Sequence, residues 1–444
     1  MKKLAFVVLM LSQMLVITGF WAWNHIHHPL GNLLLGPPVG QYLAYGRLSG
    51  LLAAYFILIQ LLLVGRLAWM ERFFGLDRLT RLHHVIGFSL MVVLLAHPVL
   101  VTVGHAMQAD VGVVDQLIDF WKTWDDVWAA IIGTGILIGA VIGSLAFIRR
   151  RMSFEAWHGF HFSLYLAMAL IFGHQLSVGS DLTGNRAFSI YWCSLSIFVF
   201  GNLLYYRLVR PLWNFQRHRF HMVRLVPESP DATSVYIDGR AMDRFCAKGG
   251  QFVFVRFLAP GFWWQTHPFS LSMPPHGGEL RLTIKQVGDY TRQIPQLKPG
   301  TPAIVDGSYG VFTAARAVSS KVLLIAGGIG ITPIRAMGGA LLEAGRDVIL
   351  LYANRNAVGV VFRAELEALV AAFPVHFRVV YVMSDDPSWQ GEQGRLDEER
   401  IHRLVPDLKE RDAYLCGPPP MMKSVQSILK KQGVRRIFSE RFSL

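Results

Sequence analysis

Residues 81–98 read RLHHVIGFSLMVVLLAHP and residues 155–174 read EAWHGFHFSLYLAMALIFGH. Each stretch is apolar enough for a bilayer interior, yet each holds two widely spaced histidines: His83 and His97 in the first, His161 and His174 in the second. An imidazole in hydrocarbon is costly unless it faces a bundle interior and holds something, so these residues are functional candidates. The step from His83 to His97 is a rise of ~21 Å and nearly four whole turns, which returns both side chains to one helix face. The step from His161 to His174 gives ~20 Å with a poorer azimuthal match. Matched rises pair His83 with His161 near one membrane face and His97 with His174 near the other, each pair a candidate ligand set for one haem. His84 and His158 are rival ligands, and spacing alone leaves that choice open.

The surrounding sequence has the same membrane character. Of 444 residues, 52% are hydrophobic and only 16% charged, too apolar a balance for a soluble enzyme. Long apolar stretches cease near Arg210. Six spans are expected, centred on 4–23, 46–69, 82–107, 128–148, 155–178 and 189–210, and an even number puts both termini on one side. Lys2, Lys3, Arg66, Arg72, Arg78, Arg81, Arg149, Arg150, Arg151, Arg207, Arg210, Arg217 and Arg219 fall on that side, while the opposite loops carry Lys122 and Arg186. The positive-inside rule therefore makes both termini cytoplasmic, in an inner (plasma) membrane of bacterial type. The net charge of +13 is a membrane-flanking excess, so membrane lipid is the expected partner and nucleic acid is not.

Other features are excluded from the site. The loop before Trp128 holds Asp110, Asp115, Asp119, Asp125 and Asp126 and is expected to face out as a solvated loop. The first 23 residues lack a small-residue cleavage site and read as an uncleaved span. Cys193, Cys246 and Cys416 form no CxxC, which disfavours a disulfide framework, a structural zinc and an iron–sulfur cluster. His25, His27 and His28 lack a fixed framework and are left aside.

Beyond the spans the periodicity changes. From His221 to Thr313, short β-rich runs at Ser234–Ile237, Phe252–Phe257, Leu280–Lys285 and Ala303–Asp306 are punctuated by Gly and Pro and suggest a small antiparallel barrel. After Ala315, strands alternate with helices. The buried run Val322–Ala326 enters Gly327-Gly328-Ile329-Gly330-Ile331-Thr332-Pro333. There glycines let backbone N–H groups approach a diphosphate, and the helix N-terminus favours an anion. Strands at Val348–Tyr352, Phe377–Val382 and Ala413–Leu415 complete a doubly wound sheet. Arg355, after the second strand, is a candidate to grip a 2′-phosphate and so favour NADPH over NADH, a plain surface charge being the other reading of an arginine at a strand end.

Arg81-Leu82-His83-His84-Val85-Ile86-Gly87 leading to His97-Pro98, then Trp157-His158-Gly159-Phe160-His161 leading to His174, resembles the ferric reductase and NADPH oxidase superfamily. The resemblance implies that the first histidine of the His83-His84 doublet is the ligand, so that His83, His97, His161 and His174 hold two b-type haems. It also matches Arg47, in Gly46-Arg47-Leu48-Ser49-Gly50, with an arginine near the outer haem and acceptor, although a snorkelling interfacial arginine reads equally well. His267-Pro268-Phe269-Ser270 resembles the flavin-binding motif of the ferredoxin reductase family, with Gly250-Gln251-Phe252 before it and Gly288-Asp289-Tyr290-Thr291 and Asp306-Gly307-Ser308-Tyr309-Gly310 after it. This implies that His267 and Thr291 approach the FAD diphosphate while Phe269 and Ser270 lie against the isoalloxazine. His267 replaces the arginine that usually starts the motif, leaving the diphosphate to hydrogen bonds and to Lys285 as a helper. Pro333 in place of a small residue is typical of the same family, and Cys416-Gly417-Pro418-Pro419-Pro420 resembles its nicotinamide-side motif. Phe442, with two residues behind it, fits the family's C-terminal aromatic that stacks on the flavin.

The expected fold class is a multi-domain membrane protein: a six-helix transmembrane haem bundle over residues 1–215, an antiparallel β-barrel FAD domain over 216–316, and a doubly wound α/β NAD(P)-binding domain over 317–444. The expected activity is an NAD(P)H-dependent transmembrane oxidoreductase, with Ser270, Cys416, Phe442 and Arg47 at the reacting centres. Ferric chelates are the expected outer acceptor. Dioxygen is the alternative, and an outer-face protein partner served by a redox relay is a third reading. Val101 stands where many NADPH oxidases carry a histidine one turn beyond the outer ligand, and the outer loops are short; both favour ferric chelates.

Overall fold

The computed structural model describes residues 2–26, 37–145, 148, 151, 152, 154–274 and 278–440; Phe442, His27 and His28 lie outside the described residues. The chain divides into two compact units, one of Met1–Leu67 with Arg78–Leu204, the other of Ala68–Asp77 with Tyr205–Leu444.

The first unit is helical. Its helices are α1 (Lys2–Ile26), α2 (Pro38–Val64), most of α4 (Leu76–Ala109), α5 (Val113–Thr123), α6 (Val127–Gly143), α7 (Phe154–Ser177) and α8 (Arg186–Leu204), while α3 (Ala68–Phe74) belongs to the second unit. Among the described residues, four helical runs are long and apolar enough to cross a membrane: those of α1, α2, α4 and the run from Arg186 to His218. A fifth follows if α5 and α6, bent by 113° at a short break, count as one. The two remaining expected spans are helices of a different kind. The stretch expected at 128–148 is helical from Val127 and its α6 stops after 17 residues. The stretch expected at 155–178 is the 24-residue α7, whose apolarity is diluted by His158, His161, His174 and Gln175. Part of the acidic loop expected before Trp128 is the helix α5.

Large apolar side chains face outward along these helices, with Leu15 and Ile197 each 72% and Phe88 76% exposed. A soluble protein would bury such a surface, whereas hydrocarbon accepts it. Inside, Ala53 of α2, Leu90 and Leu94 of α4, Leu137 of α6, and Ala167 and Ile171 of α7 form one buried cluster. Gly133 lets the α6 and α7 backbones approach closely, since a Cβ there would stand 2.8 Å from the Ala167 carbonyl oxygen.

In the second unit, α9 (Arg210–His218) leads into β1 (His221–Ser229), β2 (Ala232–Asp238), β3 (Phe252–Phe257), β4 (His267–Ser270), β5 (Leu280–Lys285) and β6 (Ala303–Tyr309). These strands form two three-stranded antiparallel sheets, β1-β2-β5 and β4-β3-β6, rather than one continuous ladder. Single bridges, His221 to Pro302 and Leu271 to Leu282, join them at both seams. Strand alternation turns Val253, Val255 and Phe257 toward Val235, Ile237, Leu282 and Ile284 to make a shared core.

A six-stranded parallel sheet follows, in the order β10 (Glu392–Gln393), β9 (Phe377–Met383), β8 (Asp347–Asn354), β7 (Lys321–Gly327), β11 (Asp412–Cys416) and β12 (Ile437–Glu440). Val322, Leu324 and Ala326 pack with α10 (Ile331–Glu343) and α11 (Arg363–Ala372) on one face. Leu323 and Ile325 pack with α12 (Glu398–Leu404) and α13 (Pro419–Lys431) on the other. The strand order reverses between β7 and β11, the place where open α/β sheets bind ligands beyond their carboxyl ends.

The α6–α7 approach makes a paired test. Gly133→Leu is expected to destabilise the detergent-solubilised protein by ~1–3 kcal/mol, the usual cost of overpacking. Gly135→Leu, which meets nothing within 4 Å, is expected to leave thermal unfolding unchanged. Equal melting curves for Gly133→Leu and wild type would refute this packing.

Candidate functional site

In the helical unit, α4 and α7 bring the histidines together in pairs. The ring centres of His83 and His161 lie 6.4 Å apart and those of His97 and His174 lie 6.3 Å apart. Two imidazoles on opposite sides of one metal ion, each bonded at ~2 Å, hold their ring centres roughly 6 Å apart, so both pairs fit such a centre. His84 and His158, the rival ligands, are exposed.

Hydrogen bonding fixes two of the rings. His97 Nδ1 lies 2.8 Å from the Gly46 carbonyl oxygen. That oxygen only accepts, so Nδ1 carries the proton and Nε2 keeps its lone pair for a metal. His161 Nδ1 lies 3.3 Å from Ser144 Oγ. The Ser144 hydroxyl already donates to the Ala140 carbonyl, so it accepts from His161 and selects the same tautomer. His83 Nδ1 is buried without a hydrogen-bond partner, and Gln60 holds the backbone carbonyl of the same residue at 2.9 Å.

Two glycines make room for this arrangement. A Cβ on Gly50 would stand 2.6 Å from His97 Nδ1, and one on Gly46 would stand 2.8 Å from Val101 Cγ2. Four residues apart, they lie on one face of α2 and let α4 approach closely. The sequence reading treated them only as flanks of Arg47; their small-xxx-small spacing was the signal available. Arg47 itself is half-buried on the same stretch of helix.

In the second unit, the His267 ring packs 3.9 Å from the Tyr290 ring, with its Nε2 2.9 Å from Gln265 Oε1. Thr291 Oγ1 accepts from the backbone N–H groups of Val287 and Gly288, closing the turn before its short helix. Lys285 pairs with Asp231 at 2.9 Å. Phe269 packs against the core of the small sheets, while Pro268 and Ser270 lie opposite Phe254 and Phe252 in register. Ser270 Oγ is buried and has no hydrogen-bond partner.

At the strand reversal of the parallel sheet, Cys416 ends β11 opposite Ala326. A Cβ on Gly330 would stand 2.3 Å from the Cys416 carbonyl oxygen, and one on Gly327 would stand 2.8 Å from Pro418 Cδ. Gly417 lies as tightly against the Gly327 backbone, and Gly328 has φ +52°, a left-handed conformation that favours glycine. The loops after β7 and β11 therefore touch backbone to backbone. Thr332 donates to the Ile329 carbonyl, and Pro333 lies in the first turn of α10. Arg355 is exposed just beyond β8.

Two carboxylates absent from the sequence-based site stand beside these groups. Glu71 of α3 accepts from the Gly310 N–H at 2.9 Å, and burial pushes its pKa up to about 7. Glu440 lies opposite Cys416 in register, with Oε2 buried and unpartnered. Burial, then Asp77 and Glu71, push its carboxyl well above the ordinary range. Burial, then Glu440 and Asp77, likewise hold the Cys416 thiol protonated, so it offers an S–H dipole rather than a thiolate nucleophile. Glu71 was visible as an acid within a basic loop, and Glu440 as the carboxylate two residues before Phe442.

A carboxyl whose folded pKa exceeds its unfolded value adds stability below the unfolded pKa, and that stability is lost as pH rises through the folded one. For Glu71 this window runs from near 4.5 to about 7. Glu71→Gln is expected to flatten the decline of melting temperature across that range. Parallel melting-temperature profiles in the two proteins would count against it.

Three family models match the chain: a ferric reductase like transmembrane component over residues 49–172, an FAD-binding domain over 218–299 and an oxidoreductase NAD-binding domain over 324–427. An NADPH oxidoreductase of Mycobacterium tuberculosis is 28% identical over 250 residues, which cover 54% of this chain and 64% of the relative. NADH-cytochrome b5 reductase 1 of Laccaria bicolor is 33% identical over 162 residues, covering 35% of this chain and 53% of the relative. The chain thus spans less than two thirds of these curated relatives. The crystal structure of the Amycolatopsis cytochrome P450 reductase GcoB matches with a TM-score of 0.46 and 22% identity, over 51% of this chain and 70% of that one. With a ferric reductase-like transmembrane component followed by FAD-binding and NAD-binding domains, the chain belongs to the ferric reductase and NADPH oxidase superfamily.

Proposed function

We propose that the protein is an NAD(P)H-dependent transmembrane oxidoreductase that uses FAD and two b-type haems and delivers electrons to ferric chelates at the outer membrane face. The observation that carries this reading is the presence of two histidine pairs on the same two helices, each with ring centres about 6 Å apart. His83 with His161 would hold the inner haem and His97 with His174 the outer one. When bound, FAD supplies the conversion between the two-electron chemistry of a nicotinamide and the one-electron chemistry of a haem.

The chain's own residues contribute position and polarity. Gly46 and Ser144 orient their imidazoles with Nε2 unprotonated. The buried Ser270 hydroxyl and the protonated Cys416 thiol present neutral dipoles, so neither competes as a nucleophile. Arg355, exposed just beyond β8, supports NADPH as donor. The distribution of Lys and Arg supports six spans with both termini cytoplasmic. Ferric chelates are favoured over dioxygen because Val101, at the position where a further histidine would stand, fills the space beside Gly46 with apolar contact.

Purified protein given NADPH under anaerobiosis is expected to yield ferrous chelate. Superoxide-dismutase-sensitive dye reduction in air, without chelate reduction, would replace this reading with the oxidase. Haem reduction without turnover would indicate a relay to an outer-face protein partner. Replacing His97 and His174 together by alanine is expected to halve the haem bound per chain and abolish acceptor reduction. Gly50→Val, which crowds the His97 ring while leaving all four proposed ligands in the sequence, is expected to do the same. Undiminished b-type absorption bands in both variants would remove the basis of the proposal.

A further inference from the structure

Four basic side chains lie on the strands of the two small sheets: Arg224, Arg256, Arg281 and Lys285. Three have carboxylate partners, Arg224 with Glu279, Arg281 with Glu365 and Lys285 with Asp231. Arg256 of β3 has none among the described residues. Among the described residues its side chain makes one hydrogen bond, from Nε to Thr266 Oγ1 at 2.9 Å, which fixes the guanidinium and leaves both terminal nitrogens unengaged there. A half-buried guanidinium held in place without a counter-charge is a site prepared for an anion.

The neighbours point to the same ligand. Thr266 directly precedes His267, and His267 packs on Tyr290. The Tyr290 hydroxyl is buried with no hydrogen-bond partner among the described residues. Arg256 lies close enough to that hydroxyl to oppose the rise that burial imposes on its pKa. The start of β4 is thus flanked by a guanidinium held on Thr266 and by an imidazole stacked on a phenol, inside the stretch matched by the FAD-binding domain. Lys285 and Thr291, the other groups expected to serve the same charge, are occupied by Asp231 and by the turn at Gly288.

We propose that Arg256 is the cation that binds the FAD diphosphate, reaching the first residues of the His267–Ser270 strand from the adjacent strand. This assignment rests on the reading of the protein as an FAD oxidoreductase. Arg256 acts here as a binding residue, and its effect is confined to the phosphate-bearing part of the ligand.

The test uses the full-length protein in detergent, stripped of flavin and titrated with FAD or with riboflavin while flavin fluorescence is followed. A charge-assisted hydrogen bond of the usual strength predicts that Arg256→Met raises the FAD dissociation constant ~10–100-fold, with riboflavin binding unchanged. Arg256→Lys is expected to recover part of the loss, Thr266→Val to show a smaller loss, and Arg224→Met to bind like wild type. FAD binding by Arg256→Met that matches wild type, or an equal loss for riboflavin, overturns the proposal. Wild-type protein that takes up no FAD would overturn the underlying functional reading instead.

Discussion

Four imidazoles placed among apolar helices are the constraint on which the helical unit depends. Each ring has two nitrogens, and hydrocarbon satisfies neither. The chain answers with backbone and hydroxyl acceptors for Nδ1 at His97 and His161, which leaves Nε2 of each with its lone pair. The close approach this requires is possible only because Gly46, Gly50 and Gly133 carry no side chain at the contact. Polar satisfaction and helix spacing are therefore one requirement here, and neither can be changed without the other.

The second unit meets a comparable demand by different means. Gly327, Gly330 and Gly417 bring two loops into backbone contact at the strand reversal, where a side chain would not fit. Next to that contact, Glu440 and Cys416 are packed together in forms that burial keeps neutral. Further out, Arg281 and Arg335 both clasp Glu365 and so tie β5 to α10 and α11. Arg281, Arg335 and Glu365 are thus paired off on the flank, while the Cys416 thiol and Glu440 carboxyl stay uncharged.

What was legible in the sequence is what local pattern specifies. Apolar runs at Val322–Ala326, Val348–Tyr352 and Ala413–Leu415 lie within β7, β8 and β11, because a strand buried on both faces has to be apolar throughout, while Phe377–Val382 lies within β9, where Arg378 is exposed. The helices bearing the histidines were legible for a similar reason. The small antiparallel domain was read from turn residues and alternation, but its division into two sheets depends on seams where only single bridges form. Gly46 and Gly50 escaped notice because their meaning lies in a helix fifty residues away. Glu71, Glu440 and Arg256 escaped because a charge in a sequence does not disclose whether a partner awaits it. The bend between α5 and α6 likewise follows from Asp126 adopting φ +61°, which no spacing rule reveals.

The short stretch Ala68–Asp77 lies in the sequence between two membrane helices, yet it is built into the reductase half. Glu71 caps the Gly310 N–H there and Leu76 covers Phe252, Phe254 and Tyr309. The second unit is consequently built from two separate segments of the chain. No single cut frees the flavin-binding part whole, and a chimaera that exchanged residues 205–444 for those of a relative would bring a foreign wall against an unchanged strip of the old one. In such lineages the loop and the reductase must be inherited, or transplanted, together.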